Sequence, residues 1–171
     1  MAVVQDEDKP WKTDLARKSK ERRENVVQDI EEMIKKAPSF EDALRVTVET
    51  LKKKFARYSS VTAYVADGED LAVHMALDRP QGPERVGATG GALADAAHAS
   101  APTLVSDLVA SPAWSAVGLT TGSALVAPVR TEAGLWAILE IWSDFRDAFT
   151  PQDVKLADRL SAALAKKTPQ A

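Results

Sequence analysis

The sequence predicts an α+β fold in which an antiparallel sheet of about five or six strands carries helices on both faces. Two observations favour this fold class. Residues 58–77 and 123–142 each consist of two β-branched, aromatic or apolar runs around a short polar turn, which is typical of hairpins. Both arms of the second hairpin are apolar on both faces, so we expect the sheet to be covered on both sides.

The 171 residues suit one main domain with an N-terminal extension. Residues 1–10 are polar and are predicted to be disordered, and residues 11–37 carry apolar side chains at helical spacing. We expect an amphipathic helix over 11–37, the main domain over 38–167 and a short C-terminal tail over 168–171.

Capping patterns mark the starts of two further helices. Ser39 precedes Asp42 by three residues, which predicts an N-cap for a second helix that ends near Arg57. Thr150, Pro151 and Asp153 form the same kind of start for the closing helix.

Between these helices the pattern alternates strands and loops. Asp67-Gly68 is a strong hairpin signal that predicts paired strands over 58–66 and 71–77. A loop rich in glycine and proline over 79–91, a short helix over 92–100 and a brief strand over 103–107 should follow. The last hairpin brings the number of expected strands to five.

Composition excludes several classes of function. The net charge of −3 argues against a nucleic-acid binder, and the lack of cysteine removes disulfides, thiol catalysis and thiolate metal sites. No stretch reaches the roughly 20 apolar residues that span a bilayer, so we expect a cytoplasmic protein without a membrane partner. One basic segment, from Arg17 to Glu24, is interpreted as a solvated helix face, with an anionic partner as the alternative.

Glu140 is the candidate functional residue that the pattern singles out. In a strand over 135–142 it shares one face with Trp136, Ile138 and Trp142, because successive side chains alternate. A carboxylate on so apolar a face either contacts a ligand amine or hydroxyl, or is a structural acid that accepts bonds from loop amides or from a base such as Arg85. The sequence leaves both interpretations open.

Other candidates surround this strand. Trp114, Trp136 and Trp142 form either an aromatic wall for a ligand or ordinary packing. Thr89 and Gly90 precede the short helix, whose first amides could hold an anion, although glycine there also serves the turn.

A haem or metal site is a minority alternative. The chain has only two histidines, His74 and His98, and a zinc site usually takes three or four protein ligands. The cofactor, if there is one, stays unknown.

The order of elements and three segments together resemble the GAF domain family of small-molecule sensors. The segments are "GGALADAAHASAPTLVSDL", "SALVAPVRTEAGLWAILEIW" and "FTPQDVKLADRLSAALA", and the resemblance extends over about 39–166. Within the family the chain is most similar to the branch of free methionine-(R)-sulfoxide reductases, whose cysteines it lacks. Aligned by eye, the three cysteine positions of that branch fall near Pro83, Leu93 and Val117, and its three pocket acids fall on Ala124, Glu140 and Trp142.

The resemblance implies a pocket between one sheet face and the layer over about 79–122, with Tyr64, Arg85 and Asp107 among its candidate residues. It also implies that reductase chemistry is absent, since only a thiolate attacks the sulfoxide sulfur. The expected function is a non-catalytic sensory module that binds a small molecule or small anion and forms a homodimer through its helices. The alternatives are an interaction domain with a filled pocket and a haem sensor.

Overall fold

A computed structural model describes residues 10–79, 84–87, 92–108 and 122–169 of the chain. These residues contain four α-helices and six β-strands. The helices are α1 (Pro10–Lys36), α2 (Phe40–Lys54), α3 (Ala92–His98) and α4 (Pro151–Ala165). The strands are β1 (Ser60–Asp67), β2 (Asp70–Leu77), β3 (Arg85–Gly87), β4 (Thr103–Val105), β5 (Ser123–Thr131) and β6 (Gly134–Ser143).

The six strands form one sheet in the order β3-β2-β1-β6-β5-β4, and every neighbouring pair is antiparallel. Helices cover both faces of this sheet: α1, α2 and α4 pack on one side and α3 packs on the other. The predicted α+β class, with an antiparallel sheet between helices, is therefore confirmed.

Two local expectations were wrong. Residues 85–87, predicted as loop, form the edge strand β3, because they pair with 70–72 and Arg85 forms ion pairs with Asp67 and Asp70. Helix α2 ends at Lys54 rather than near Arg57, because Phe55 adopts an extended conformation and its ring stacks on Tyr58 with centroids 4.7 Å apart.

Two predicted helix caps are present, and one of them is part of a buried hydrogen-bond network. Ser39 accepts a hydrogen bond from the Asp42 amide at 3.0 Å. Asp153, which is 2% exposed, accepts from the Thr150 amide at 2.7 Å and from the Tyr58 hydroxyl at 2.7 Å. The second contact joins the start of α4 to the chain that enters β1, so this cap also fixes tertiary structure.

The sheet separates two apolar cores. The helix-side core combines one face of the sheet with α1, α2 and α4, and it includes Val26, Val27, Ile30, Ile34, Leu44, Leu51, Val61, Leu125, Leu139, Leu156 and Leu160. The α3-side core lies on the opposite face and consists of Tyr64, Leu71, Leu93, Ala96, Ala97, Val105, Leu108, Ala124, Val126 and Ile138. Glu140 extends toward this second, smaller core.

Candidate ligand site on the α3-side face of the sheet

Glu140 lies in the middle of the sheet, with strands on both sides of its own. Its register partners are Thr62 on β1 and Val126 on β5, so all three side chains share the face that α3 covers. The residue is 2% exposed. The predicted location of this carboxylate, on an apolar and buried sheet face, is therefore what the structure shows.

The carboxylate of Glu140 has few partners for so buried a group. Its Oε1 atom accepts one long hydrogen bond, at 3.5 Å, from the Tyr64 hydroxyl. Its Oε2 atom has no hydrogen-bond partner among the described residues, and neither has the buried Oγ1 atom of Thr62 across the strand. Native proteins pair nearly all buried polar atoms. These two unpaired oxygens on neighbouring strands therefore indicate a site for a further hydrogen-bonding group.

Burial raises the pKa of the Glu140 carboxyl to about 7, while the positive charge of Arg79 and the bond from Tyr64 act in the opposite direction. Burial also raises the pKa of Tyr64, so its phenol stays protonated and donates to the carboxylate. A small change in the surroundings of Glu140 would therefore change its charge near neutral pH.

Arg79 is the cation next to this site. Its Nε atom donates to the Tyr64 hydroxyl at 3.3 Å, and its guanidinium carbon lies 5.6 Å from the centre of the Tyr64 ring. Arg85, which the sequence offered as a structural partner for Glu140, is exposed and pairs with Asp67 and Asp70 instead. Arg85 is therefore not the partner of Glu140.

One tryptophan of the predicted aromatic wall lies on the other side of the sheet. Trp142 packs against the α3-side core, whereas Trp136 packs against the helix-side core and meets Phe40 edge-on at 6.1 Å. The cause is a β-bulge: Val129 pairs with Ala137 but Arg130 pairs with Leu135, which leaves Trp136 as an extra residue. The expectation that Trp136 shares the face of Glu140 is therefore wrong.

The remaining candidates are dispersed or lie outside the described residues. Asp107 forms an ion pair with Arg146 at 3.4 Å. Trp114, Thr89 and Gly90 lie outside the residues that the structure describes.

The two histidines do not come together. His74 Nε2 lies 3.3 Å from the Glu41 carbonyl on the side of α2, and His98 Nδ1 lies 2.7 Å from the Ala94 carbonyl of its own helix, on the other side of the sheet. Across the described ranges, no group of three or more histidine, cysteine or acidic side chains is placed to hold a metal ion.

Sequence reasoning missed two residues of this site. Thr62 could have been found, because it lies two residues before Tyr64 on a strand and must share its face. Arg79 could not, because its contact with Tyr64 depends on how the chain turns after β2.

Comparisons with known proteins agree with this architecture. The sequence model of the GAF domain matches residues 39–167. The comparison with curated proteins gave no match.

In the part of the chain that the structure describes, no helix has both the length and the apolar character needed to cross a membrane.

Three solved structures show the same fold at low sequence identity. One is the free methionine-R-sulfoxide reductase of Neisseria meningitidis in complex with its substrate, with a TM-score of 0.76, 21% identity and coverage of 85% of this chain and 87% of that one. The free methionine-R-sulfoxide reductase of Staphylococcus aureus has a TM-score of 0.76 at 14% identity, covering 86% and 95%. The GAF domain of a phosphoenolpyruvate-protein phosphotransferase from Coxiella burnetii has a TM-score of 0.72 at 17% identity, covering 85% and 92%.

Proposed function

This chain belongs to the GAF domain family, and we propose that it is a regulatory module that binds a small molecule against Glu140 without converting it. The observation that carries the proposal is the Oε2 atom of Glu140, which is buried and lacks a partner among the described residues. A ligand that donates a hydrogen bond to this atom would satisfy the group whose burial otherwise destabilises the fold.

The chemistry of the site favours a ligand with an amine or hydroxyl group. Glu140 offers an acceptor, and the hydroxyl of Thr62 can accept or donate. Tyr64 contacts the carboxylate and Arg79 contacts Tyr64, so among the described residues the charged groups at this end of the site are one acid and one base. A compound whose cationic or hydroxyl end meets Glu140 is therefore the class of ligand that fits.

The absence of cysteine supports binding without conversion. The solved structures of similar fold include free methionine-R-sulfoxide reductases, and reduction of a sulfoxide by a thiol requires a thiolate nucleophile. This chain contains no cysteine. Leu93, which aligns by eye with one of the reductase cysteine positions, is a buried apolar residue of the α3-side core.

Native mass spectrometry of freshly purified protein tests the proposal. We expect the wild-type chain to carry the mass of a retained compound and Glu140→Gln to lose most of it. Titration of the released compound should show binding weaker by roughly 1.5–3 kcal/mol in the variant, the worth of a hydrogen bond to a charged group. The exposed Glu132→Gln should bind as the wild type does.

A wild-type chain that shows only its own mass, and releases no compound on denaturation, would contradict this proposal. In that case the alternative function, an interaction domain whose pocket is filled by its own side chains, would be favoured.

A homodimer through helices is our second proposal, and exposed apolar residues of α1 favour it. Leu15 is 58% exposed and Met33 is 41% exposed. They are separated by about five helical turns, so they lie on the same stripe of the helix. Truncation of α1 is not a usable test, because Val26, Val27 and Ile30 belong to the helix-side core.

We expect light scattering to give a dimer mass for the wild type and a monomer mass for Leu15→Glu combined with Met33→Glu, since two charges would oppose a helical interface. The matched control is Leu104→Glu combined with Phe145→Glu, which adds the same charge at exposed apolar residues outside α1. A monomeric wild type at about tens of micromolar, a rough concentration for a small interface, would exclude the dimer.

A further inference from the structure

A cavity on the side of the sheet opposite Glu140 has five cations and one acid among its lining residues. It has a volume of about 370 Å³ and lies between α1, the end of α2 and the chain that enters β1. We propose that it binds a small phosphate-bearing anion. Its charged lining residues are Arg22 and Arg23 from α1, Lys53 and Lys54 from α2, Arg57 from the following turn, and Asp153 from α4.

The charges of this cavity do not balance within the described structure. Five cations face one acid, although the whole chain has a net charge of −3. The acid, Asp153, already accepts from Tyr58 and Thr150, and its Oδ1 atom lies 3.5 Å from the Arg23 guanidinium. Among the described residues, none of the other four cations forms an ion pair. Four positive charges are therefore available to an anion.

The two arginines of α1 are held in place, which favours a defined site over a diffuse charged surface. Arg22 donates to the Lys54 carbonyl at 3.1 Å and so joins α1 to the end of α2. The side chain of Arg23 is 25% exposed, and its Nε atom is buried without a hydrogen-bond partner in the described structure. Guanidinium groups match the oxygen atoms of phosphate through paired N–H donors.

The apolar part of the lining suits a ligand with a small body. Phe55 and Tyr58 stack at 4.7 Å with an angle of 29° between their rings, and Ala148 is buried beside them. The volume lies within the roughly 300–1,000 Å³ that is usual for small-molecule sites. A phosphate bound to an organic group therefore fits this cavity.

The helix dipole explains the presence of only some of the cations that line this cavity. Lys53 and Lys54 occupy the last turn of α2, where positive charge interacts favourably with the helix dipole. Arg22 and Arg23 come from the middle of α1, and Arg57 follows the end of α2, so the dipole does not explain their presence. These arginines arrive from two elements that only the tertiary structure brings together.

Calorimetric titration of the full chain with inorganic pyrophosphate at low ionic strength tests the inference. We expect binding to the wild type and an affinity lowered at least about tenfold in Lys53→Gln combined with Arg57→Gln, because each lost charge-assisted hydrogen bond is worth about that factor. Both side chains are exposed, so the double variant should fold. The matched control is Lys35→Gln combined with Lys36→Gln, which removes the same charge from exposed positions of α1 outside this cavity.

Two outcomes would overturn the inference: no binding of pyrophosphate to the wild type, or equal weakening in the two double variants, which would indicate general attraction rather than a site. Glu140→Gln should bind pyrophosphate as the wild type does, so this result is independent of the ligand at Glu140. Titration with adenosine 5′-monophosphate, phosphate and adenosine then distinguishes a free phosphate from a phosphate on an organic group. Tighter binding of adenosine 5′-monophosphate than of phosphate, with no binding of adenosine, indicates a phosphate on an organic group.

Discussion

Raising the pH from about 4 to about 8 is expected to lower the free energy of unfolding through Glu140 by up to about 3 kcal/mol, at about 1.4 kcal/mol per unit of pKa shift. Burial raises the pKa of this carboxyl from 4.5 to about 7 in the folded chain. Between these values the folded state holds a proton that the unfolded state has lost. The free energy of unfolding is therefore highest below pH 4.5, decreases between pH 4.5 and about 7, and is constant above that range as far as Glu140 is concerned.

Urea unfolding at a series of pH values measures this dependence. Glu140→Gln should lack the part of the slope that Glu140 contributes, because its amide does not titrate, while the exposed Glu132→Gln should keep the wild-type slope. A ligand that brings a positive charge to Glu140 should lower the pKa of the carboxyl and flatten the profile in the same way. Identical profiles for the wild type and Glu140→Gln would show that Glu140 is ionised at ordinary pH and has a strong partner.

Gly122→Ala is expected to lower the free energy of unfolding by about 3 kcal/mol or more, because it combines backbone strain with a steric clash. Gly122 has a φ of +90°, and a Cβ atom there would lie 1.9 Å from the Ser143 carbonyl oxygen. That oxygen belongs to the backbone of β6, so relief requires movement of the strand that carries Glu140.

The comparison with Gly68→Ala separates the two causes of this effect. Gly68 also has a positive φ, of +61°, but no atom lies within 4 Å of its added Cβ. We expect this control to lose only about 1–2 kcal/mol, the cost of a left-handed conformation for an ordinary residue. Thermal unfolding of both variants checks the prediction, and equal losses would mean that the close approach at Gly122 relaxes at little cost.

Gly122 also lies close to the candidate ligand site. Its carbonyl accepts a hydrogen bond from the Leu108 amide at 2.9 Å, so Gly122 lies beside a residue of the α3-side core. Ala124, two residues later, is opposite Trp142 on β6. We therefore expect Gly122→Ala to weaken ligand binding together with stability, whereas Gly68→Ala, in the turn of the β1–β2 hairpin, should leave binding unchanged.

The sequence by itself determined the features that depend on near neighbours in the chain. The caps at Ser39 and Thr150, the turn at Gly68 and the location of Glu140 on one face with Ile138 and Trp142 all follow from local backbone chemistry or from the alternation of strand side chains. The absence of cysteine excludes thiol chemistry in any fold that the chain could adopt.

Only the tertiary structure decided which groups meet across elements. A single extra residue in β6 moved Trp136 to the other face, and alternation cannot reveal such a bulge because it depends on the register with β5. Arg79 rather than Arg85 lies near Glu140, since the two arginines differ in the path of the chain after β2 and not in their chemistry. In the same way, the cations of α1 form a candidate anion site only because α1 packs against the end of α2, which contributes further cations. The sequence separation of these residues does not indicate that they lie close together.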